Sequence, residues 1–329
     1  MDKRPLISIC IPTYNRAQYL KQTLESYVGN SSFDDKVEIV ISDNASTDET
    51  QAIGENYASR YPNIKYFRND ENLSDSNFCL ALDRGTGDYL KLMNDNVVFT
   101  SSGLRYVKDR LLDFYNNKQP VFFTNHRLFV RRELDTFMCE KFEDLVVNLS
   151  YLVTAIHVFG AWREDWINVH DRIKYTKLQL NQDDWVYQIT EQKGCCALCT
   201  GNYCVTLPMP NKKRSGYNWF QVHVTNYYLI LKPYIDKGLV SEKSLYIEKK
   251  IYLWGLRPFI VISYLYNIIP EYQFDMSNTT RILWHHFKGV PLFYTLMLTL
   301  PIWGGVMVLK FFVKRLFKLF FHRKTLYNI

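Results

Sequence analysis

The apolar positions of the first fifty residues fall into two short runs separated by a helical pattern. Residues 6–11 form the first run, residues 17–28 carry the helical spacing, and residues 37–41 form the second run. Two short buried strands joined by one helix make a βαβ unit, which requires a parallel sheet. Because ligands of such sheets bind outside the carboxyl ends of the strands, the polar clusters at residues 14–16 and 43–48 are predicted to border a nucleotide pocket.

Strand and helix patterns then alternate up to about residue 125. The predicted helices cover residues 48–59, 75–84 and about 101–115, and the predicted strands cover residues 63–67, 88–93 and 121–125. Ser46 or Thr47 is the expected N-cap of the first of these helices, and Ser101 or Ser102 that of the third. This alternation predicts an α/β domain whose mostly parallel sheet is covered by helices on both faces.

The pattern becomes less regular after about residue 142. A strand-like run covers residues 195–205, and helical patterns cover residues 219–237 and 245–269. We therefore predict an α/β domain over residues 1–210, a helical extension over residues 211–287 and a separate tail over residues 288–329.

The tail combines an uncharged run with a basic helical pattern. Residues 289–309 carry no charge and approach the ~20 residues that span a bilayer, but prolines and glycines interrupt them. Lys310, Lys314 and Lys318 then recur every four residues opposite apolar positions, as in helices that lie on anionic lipid. Since eight Lys and Arg but no Asp or Glu follow residue 275, the rest of the +7 chain carries −1. This distribution favours lipid over nucleic acid as the partner.

Cysteine usage and the first residues point to the cytosol. No apolar signal region precedes the first strand, and the seven cysteines are expected to be thiols. Cys195, Cys196 and Cys199 lie in an apolar strand-like run without a second pair at zinc-ligand spacing, so buried thiols are predicted there.

Several ordered motifs resemble the inverting glycosyltransferases of family 2, which have the GT-A fold. They are I-P-T-Y-N-R at residues 11–16, V-I-S-D-N-A-S-T-D at 40–48, N-L-S-D-S-N at 72–77, G-T-G-D-Y at 85–89 and a carboxylate-bearing turn at Asp95. Their spacing is most similar to the bacterial O-antigen and capsule branch, including abequosyltransferase-like enzymes. The resemblance implies that residues 1–100 hold the nucleotide sugar and residues 101–210 the acceptor.

The resemblance also implies a nucleotide site, which would be formed by Pro12, Tyr14, Arg16, Asp43, Asp75, Asn77 and Asn94. Asp43 would bind the base, Tyr14 would flank it, and Asp75 and Asn77 would lie near the base and ribose. Arg84 is a further candidate. Ser74 replaces the usual glycine, which is tolerable if the backbone there needs no positive φ.

A divalent cation is expected because the leaving diphosphate must be neutralised. Mn or Mg suits the hard oxygen ligands found at strand ends, and the predicted ligands are Asp95, Asn96 and His223. The sequence supplies one carboxylate where the family usually has two or three. An ordinary N-D-N turn is the alternative for Asp95, and a structural role is the alternative for His223.

The acceptor hydroxyl must lose a proton as it attacks. By resemblance, Asp184 is the predicted general base and Asp183 its orienting neighbour; a helix N-terminus favoured by the dipole is the alternative. Asp165 is the fallback base. Lys213 and Arg214 lie in a basic, glycine-containing loop that could close over the diphosphate, unless it is only a solvated charge run.

These features predict an inverting, metal-assisted glycosyltransferase that transfers a sugar from a nucleotide sugar to a lipid-linked or cell-surface polysaccharide. A catalytically weakened sugar-nucleotide binding protein and a nucleotidyltransferase are the alternatives. Nucleotide sugars and the basic tail both belong in the cytosol. We therefore expect the run at residues 289–309 to be re-entrant or interfacial, as a peripheral or monotopic anchor on the cytoplasmic face of the cell membrane. A buried core helix or an oligomer interface is the alternative.

Overall fold

Alternating strands and helices build the central sheet. The computed structural model describes residues 4–125, 135–207, 217–265 and 275–305. The strands are β1 (Ile7–Thr13), β2 (Val37–Asp43), β3 (Ile64–Arg68), β4 (Tyr89–Leu92), β5 (Val97–Phe99), β6 (Val121–Thr124), β7 (Thr136–Cys139), β8 (Gly160–Trp162), β9 (Cys196–Thr200) and β10 (Cys204–Thr206).

The helices follow the strands in the predicted order. They are α1 (Ala17–Val28), α2 (Thr50–Arg60), α3 (Ser76–Arg84), α4 (Gly103–Asp113), α5 (Phe142–Leu149), α6 (Arg163–Ile167), α7 (Asn181–Lys193), α8 (Tyr227–Asp236), α9 (Glu242–Leu265) and α10 (Thr279–Phe287). A π-helical turn, Gln221–Asn226, precedes α8, and a further helix covers residues 291–305.

The main sheet has the strand order β3-β2-β1-β4-β8. Its first four strands are parallel, and β8 pairs antiparallel with β4. Every residue of β1 and β2 is buried, as expected for continuous apolar runs in a sheet covered on both faces. Thr13 lies opposite Asp43, and Cys10 opposite Leu92. The carboxyl ends of these neighbouring strands therefore meet at one edge.

Two smaller sheets extend the domain. In one, β9 pairs parallel with β6 and antiparallel with β7; in the other, β10 pairs antiparallel with β5. The strand-like run at residues 195–205 is thus two strands, separated by a turn in which the Tyr203 N–H donates to the Gly201 carbonyl at 2.8 Å. Cys196 and Cys199 are buried in β9, and all seven cysteines are free thiols.

The start of α2 corrects the predicted N-cap. The helix begins at Thr50, too late for capping by Ser46 or Thr47. The N-cap position is Glu49, whose side chain forms no capping hydrogen bond, and the Oδ1 of the preceding Asp48 accepts the Thr50 N–H at 3.0 Å. Burial raises the pKa of Asp48, but hydrogen bonds from Thr50 and Ala17 outweigh it, so the pKa lies below its ordinary value.

Gly87 lies in the turn between α3 and β4, which packs against β1. A Cβ at Gly87 would lie 2.8 Å from the main-chain nitrogen of Ser8. The Gly87 N–H also donates to Ser8 Oγ at 2.7 Å. Glycine is therefore needed so that this turn can pack against β1.

The chain divides into two compact units, whose limits differ from the predicted boundary near residue 210. The first comprises Met1–Pro210 with Asn226–Glu248, and the second comprises Asn211–Thr225 with Lys249–Ile329. Part of the predicted helical extension therefore belongs to the first unit.

Glu248 explains why the chain returns to the first unit. Its buried carboxylate accepts hydrogen bonds from the hydroxyl groups of Ser150, Tyr227 and Tyr228 at 2.9, 3.0 and 2.9 Å. A buried charge needs such donors, and sequence periodicity does not reveal which segments supply them.

The described ranges contain no helix with both the length and the apolar character needed to cross a membrane. The predicted basic helix around Lys310, Lys314 and Lys318 lies outside the described residues, as do Lys213 and Arg214.

Candidate functional site

Asp95, a predicted metal ligand, follows β4, and side chains from the β1–α1 segment hold its carboxylate. Arg16 Nε lies 2.8 Å from Oδ1, and Thr13 Oγ1 donates to Oδ2 at 2.8 Å. Thr23 donates to the Asp95 carbonyl at 2.7 Å. Because Asp95 is buried, this ion pair contributes little net stability, but it fixes a guanidinium group at the carboxyl ends of the strands.

Hydrogen bonds join the turn after β1 to the turn after β2. Ser46 Oγ accepts the Asn15 N–H at 2.9 Å, and Asn15 Oδ1 accepts the Thr47 N–H at 2.7 Å. Asn15 has a φ of 51°, a conformation that asparagine tolerates. Asp48 Oδ2 also accepts the Ala17 N–H at 3.1 Å. Hydrogen bonds therefore join the two loops that were predicted to border the nucleotide pocket. Together these loops form an edge at the carboxyl ends of the strands.

Asp43, the predicted base-binding residue, is fully buried within this edge. Its Oδ1 accepts the Ser46 N–H at 3.0 Å, and its Oδ2 accepts the Tyr66 hydroxyl at 2.6 Å. Burial, followed by the contact with Asp43, raises the pKa of Tyr66. The carboxylate thus organises the loop, and its contact with a base stays a prediction.

Asn77 belongs to a buried polar network beside β2. Its Oδ1 accepts hydrogen bonds from Ser42 Oγ at 2.6 Å and Asn69 Nδ2 at 3.0 Å. Arg84 donates to Ser42 Oγ at 2.6 Å and to Asn69 Oδ1 at 2.7 Å, and burial lowers its pKa. Asn77 and Arg84, both predicted to bind the nucleotide, therefore form hydrogen bonds that stabilise the carboxyl end of β2.

Ser74, which replaces the family's usual glycine, has a positive φ. The replacement was expected to be tolerable only if the backbone there needed no positive φ. Its φ is 51°, in the left-handed region that costs a non-glycine residue about 1–2 kcal/mol. Asn72 Oδ1 accepts the Ser74 N–H at 2.8 Å, and the Ser74 carbonyl accepts Asn44 Nδ2 at 3.2 Å. These contacts hold the backbone in a conformation that glycine would adopt more readily.

The other predicted nucleotide residues differ in accessibility. Tyr14 is 42% exposed and could meet a ligand. Asp75 and Asn94 are half-buried, and burial raises the pKa of Asp75. Pro12 is buried in β1 opposite Ser42, so it can act only through the backbone.

The two acidic residues at the start of α7 have different surroundings. Asp184 Oδ1 accepts the Tyr234 hydroxyl at 2.8 Å, and Oδ2 accepts Gln188 Nε2 at 2.7 Å. Asp183 is fully buried, and neither carboxylate oxygen has a hydrogen-bond partner among the described residues. Burial raises the pKa of both groups. The charge of Asp184 adds to the rise at Asp183, whereas the bonds from Gln188 and Tyr234 oppose it at Asp184.

Asp165, the fallback base, is buried and lies 2.8 Å from Lys193 Nζ. Burial raises its pKa although Lys193 opposes the rise. This geometry is that of an ion pair linking α6 to α7.

Asn96 and His223, the other predicted metal ligands, each have contacts of their own. Asn96 Nδ2 points to the Leu207 carbonyl at 3.5 Å. His223 belongs to the second unit, where its ring lies 4.6 Å from that of Trp219 and burial lowers its pKa to about 4. Within the described ranges, no three His, Cys, Asp or Glu side chains gather as a metal site would require. The divalent cation, with Asp95, Asn96 and His223 as its ligands, stays a prediction.

The sequence analysis did not identify two residues of this region, Lys91 and Tyr234. Lys91 is fully buried in β4, where Nζ donates to the carbonyls of His157, Val158 and Phe159, and burial lowers its pKa to about 7. A lysine inside the apolar strand Y-L-K-L was the available signal. Tyr234, the partner of Asp184, lies 50 residues further along and gave no local signal.

The fold and the site define an α/β protein with a cross-linked polar edge at the carboxyl ends of its parallel strands, where such sheets bind ligands. Residues 8–125 match the sequence model of Glycosyl transferase family 2. Over these residues the chain is similar to that family, and the predicted resemblance is confirmed.

Curated relatives resemble the same region. An abequosyltransferase of Salmonella typhimurium is 38% identical over 108 residues, 32% of each chain. A GalNAc(5)-diNAcBac-PP-undecaprenol beta-1,3-glucosyltransferase of Campylobacter jejuni is 28% identical over 113 residues, 34% of this chain and 36% of the relative. The chain thus spans about a third of the length of these relatives.

Solved structures extend the likeness beyond that region. S. aureus TarS residues 1–349 in complex with UDP match with a TM-score of 0.53 at 14% identity, covering 87% of this chain and 81% of that one. A further TarS structure gives 0.52 at 14% identity and covers 78% and 45%. At this identity the likeness concerns the fold alone, and the predicted GT-A-like α/β fold is confirmed.

Proposed function

We propose that this protein is an inverting glycosyltransferase that transfers a sugar from a nucleotide donor to a lipid-linked or cell-surface polysaccharide. The observation that carries the proposal is the edge at which Arg16, Asp95 and Thr13 meet, inside the region that matches family 2. The abequosyltransferase and the undecaprenol-linked glucosyltransferase named above support the acceptor class.

The donor would bind against the turns after β1, β2 and β4. Tyr14 is the exposed aromatic side chain there and could flank the base. Arg16 would meet the diphosphate, since its guanidinium group is held at the strand ends by Asp95. Arginine pairs well with phosphate oxygens, and a diphosphate would compete with Asp95 for it. TarS structures in complex with UDP and with UDP-GlcNAc fit this class of ligand.

Mn or Mg remains the predicted cofactor class, as is common among GT-A glycosyltransferases. Asp95, one of the predicted ligands, is already paired with Arg16. No step is therefore assigned to a metal. Arg16 itself can offset charge that develops on the leaving diphosphate.

Asp184 is the proposed general base. It would accept the proton of the acceptor hydroxyl as that oxygen forms a bond to the anomeric carbon and the bond to the nucleoside diphosphate breaks. Tyr234 and Gln188 fix the orientation of its carboxylate. Burial raises its pKa, which suits proton acceptance near neutral pH. Asp183 would act as its neighbour.

The test separates donor binding from turnover. In Asp184→Asn, affinity for UDP or GDP by calorimetry should change less than twofold. Sugar transfer from a panel of nucleotide sugars to a bacterial lipid-linked glycan extract should fall ~100-fold or more. Asp236→Asn is the matched control, since Asp236 is an exposed α8 carboxylate paired with Lys232.

Three outcomes would contradict parts of the proposal. Unchanged turnover in Asp184→Asn would remove Asp184 as base and return attention to Asp165. Nucleotide binding without turnover by the wild-type protein on any donor would favour the alternative, a binding protein. Failure to bind any nucleoside diphosphate would reject the donor site.

A further inference from the structure

The α10 helix of the second unit presents basic side chains along one face. Arg281, His285 and Lys288 follow one another at i, i+4 and i+7, which places them on one side of the helix over about 10 Å. They border a cavity of about 630 Å³ whose lining includes Arg281, Lys288, Trp284, Asn218, Ser277 and Thr225. A polar cavity of this size accommodates a small anionic group together with water.

The charge balance of this cavity is positive. Neither Arg281 nor Lys288 forms an ion pair with a carboxylate of the described residues. Asp275 also lines the cavity, but its oxygens accept the Ser277 N–H at 2.8 Å and Asn218 Nδ2 at 3.2 Å. The donors thus partly offset this negative charge, whereas Arg281 and Lys288 line the cavity as two cations.

An exposed apolar stripe begins beside the cavity. Tyr294, Leu298 and Ile302 are spaced by four residues on the helix over residues 291–305, and they are 44%, 81% and 68% exposed. No residue of that helix is charged. Full exposure of such side chains to water is unfavourable, so this stripe calls for an apolar environment.

The cavity and the stripe are joined by direct contacts. Trp284, a lining residue, packs edge-on against Phe293 and Tyr294 with ring centroids 6.0 and 6.1 Å apart. The Tyr294 hydroxyl donates to the Lys288 carbonyl at 2.9 Å. Cations, aromatic rings and aliphatic side chains therefore follow one another across one continuous surface of the second unit.

We propose that this surface binds a phosphate-bearing membrane lipid, with the phosphate between Arg281 and Lys288 and the hydrocarbon beside Leu298 and Ile302. The order of cationic, aromatic and aliphatic groups matches the gradient from headgroup to hydrocarbon at a bilayer surface. An uncharged stripe beside a cationic cavity complements an amphiphile with an anionic head. The site does not depend on the glycosyl-transfer proposal, because it uses no residue of the first unit.

The test measures binding of the full chain to vesicles by co-sedimentation. Wild-type protein should bind phosphatidylcholine vesicles containing 30% phosphatidylglycerol more tightly than pure phosphatidylcholine. Arg281→Gln/Lys288→Gln should bind them ~30-fold more weakly, since each cation near an anionic surface contributes ~5-fold. Leu298→Gln/Ile302→Gln should lose roughly tenfold. Each variant must retain the circular dichroism spectrum and melting temperature of the wild-type protein.

The matched control removes two exposed cations from the first unit, in Lys65→Gln/Lys243→Gln. If this control loses as much affinity as the α10 variant, binding follows diffuse charge and the site is refuted. Inorganic diphosphate alone is the second arm: tight binding that requires Arg281 and Lys288 without vesicles would identify a soluble phosphate ligand instead. Loss of self-association in Leu298→Gln/Ile302→Gln, with vesicle binding unchanged, would show that a second copy covers the stripe.

Discussion

Asp183→Asn should stabilise the protein at neutral and alkaline pH, although it changes a fully buried acidic residue. The carboxylate oxygens of Asp183 have no hydrogen-bond partner among the described residues, and burial, then Asp184, raises the pKa of the group. In the unfolded chain the same carboxyl ionises near its ordinary pKa of about 3.9. The folded protein must therefore either hold a proton or bury a charge that nothing solvates.

The sign of the pH dependence follows from proton binding. Between the ordinary pKa and the raised folded pKa, the folded state holds a proton that the unfolded state has lost, so stability falls as pH rises. The slope is about 1.4 kcal/mol per pH unit while this difference lasts. Asparagine is as short of partners as the protonated acid but cannot ionise. Asp183→Asn should therefore raise the free energy of unfolding at pH 8, by about 1.4 kcal/mol for each pH unit over which the difference in bound protons lasts. Near pH 4 the gain should vanish.

The neighbouring position supplies a control with a smaller expected effect. Asp184 accepts hydrogen bonds from Tyr234 and Gln188, and bonds to a charged acceptor contribute about 1.5–3 kcal/mol. Burial raises the pKa of Asp184 as well, but these bonds oppose the rise, so Asp184→Asn should stabilise the protein at pH 8 by less than Asp183→Asn does. Denaturant unfolding from pH 4 to pH 8 measures both effects. A destabilised Asp183→Asn, or a gain that is equal at both pH values, would refute this account of Asp183.

Two further predictions concern the turns that form the edge. Ser74→Gly should raise the free energy of unfolding by about 0.5–1 kcal/mol, measured by denaturant titration. The substitution relieves the strain of a φ of 51° but gives the unfolded chain more conformational freedom. A loss of stability would mean that the serine side chain contributes more than the backbone strain costs. Asp48→Asn should cost at most a few tenths of a kcal/mol at pH 7, because solvent screens this exposed carboxylate. The cost should disappear near pH 3, since a lowered folded pKa gives stability that is lost as pH falls through it. Melting curves at both pH values measure this, and an equal cost at pH 3 would contradict the pKa account.

The first half of the fold was readable from sequence because its signals are local. Continuous apolar runs gave β1 and β2, and the intervening helical spacing gave α1 with limits close to those observed. Strand polarity then placed Thr13, Asp43 and Asp95 at one edge without further information. Chain direction alone determines which ends of parallel strands meet.

The sequence did not predict contacts between residues that lie far apart along the chain. The Tyr234 hydroxyl reaches Asp184 across 50 residues, and no periodicity encodes that pairing. Asp43 carried the expected residue type at the expected place, but its neighbours Ser46 and Tyr66 use its oxygens. Sequence position therefore predicted where side chains cluster better than what each of them binds.

The return of the chain to the first unit has a consequence for biosynthesis. The 38 residues from 211 to 248 are made after the last residue of the first segment, and at about 5–20 residues per second they take roughly 2–8 s. During that interval the nascent domain has Ser150 and Asp184 in place, but the carboxylate of Glu248 and the hydroxyl of Tyr234 that bond to them have not been synthesised. Translation thus sets the order in which this domain is completed, and Glu248 is the last of its residues to be synthesised.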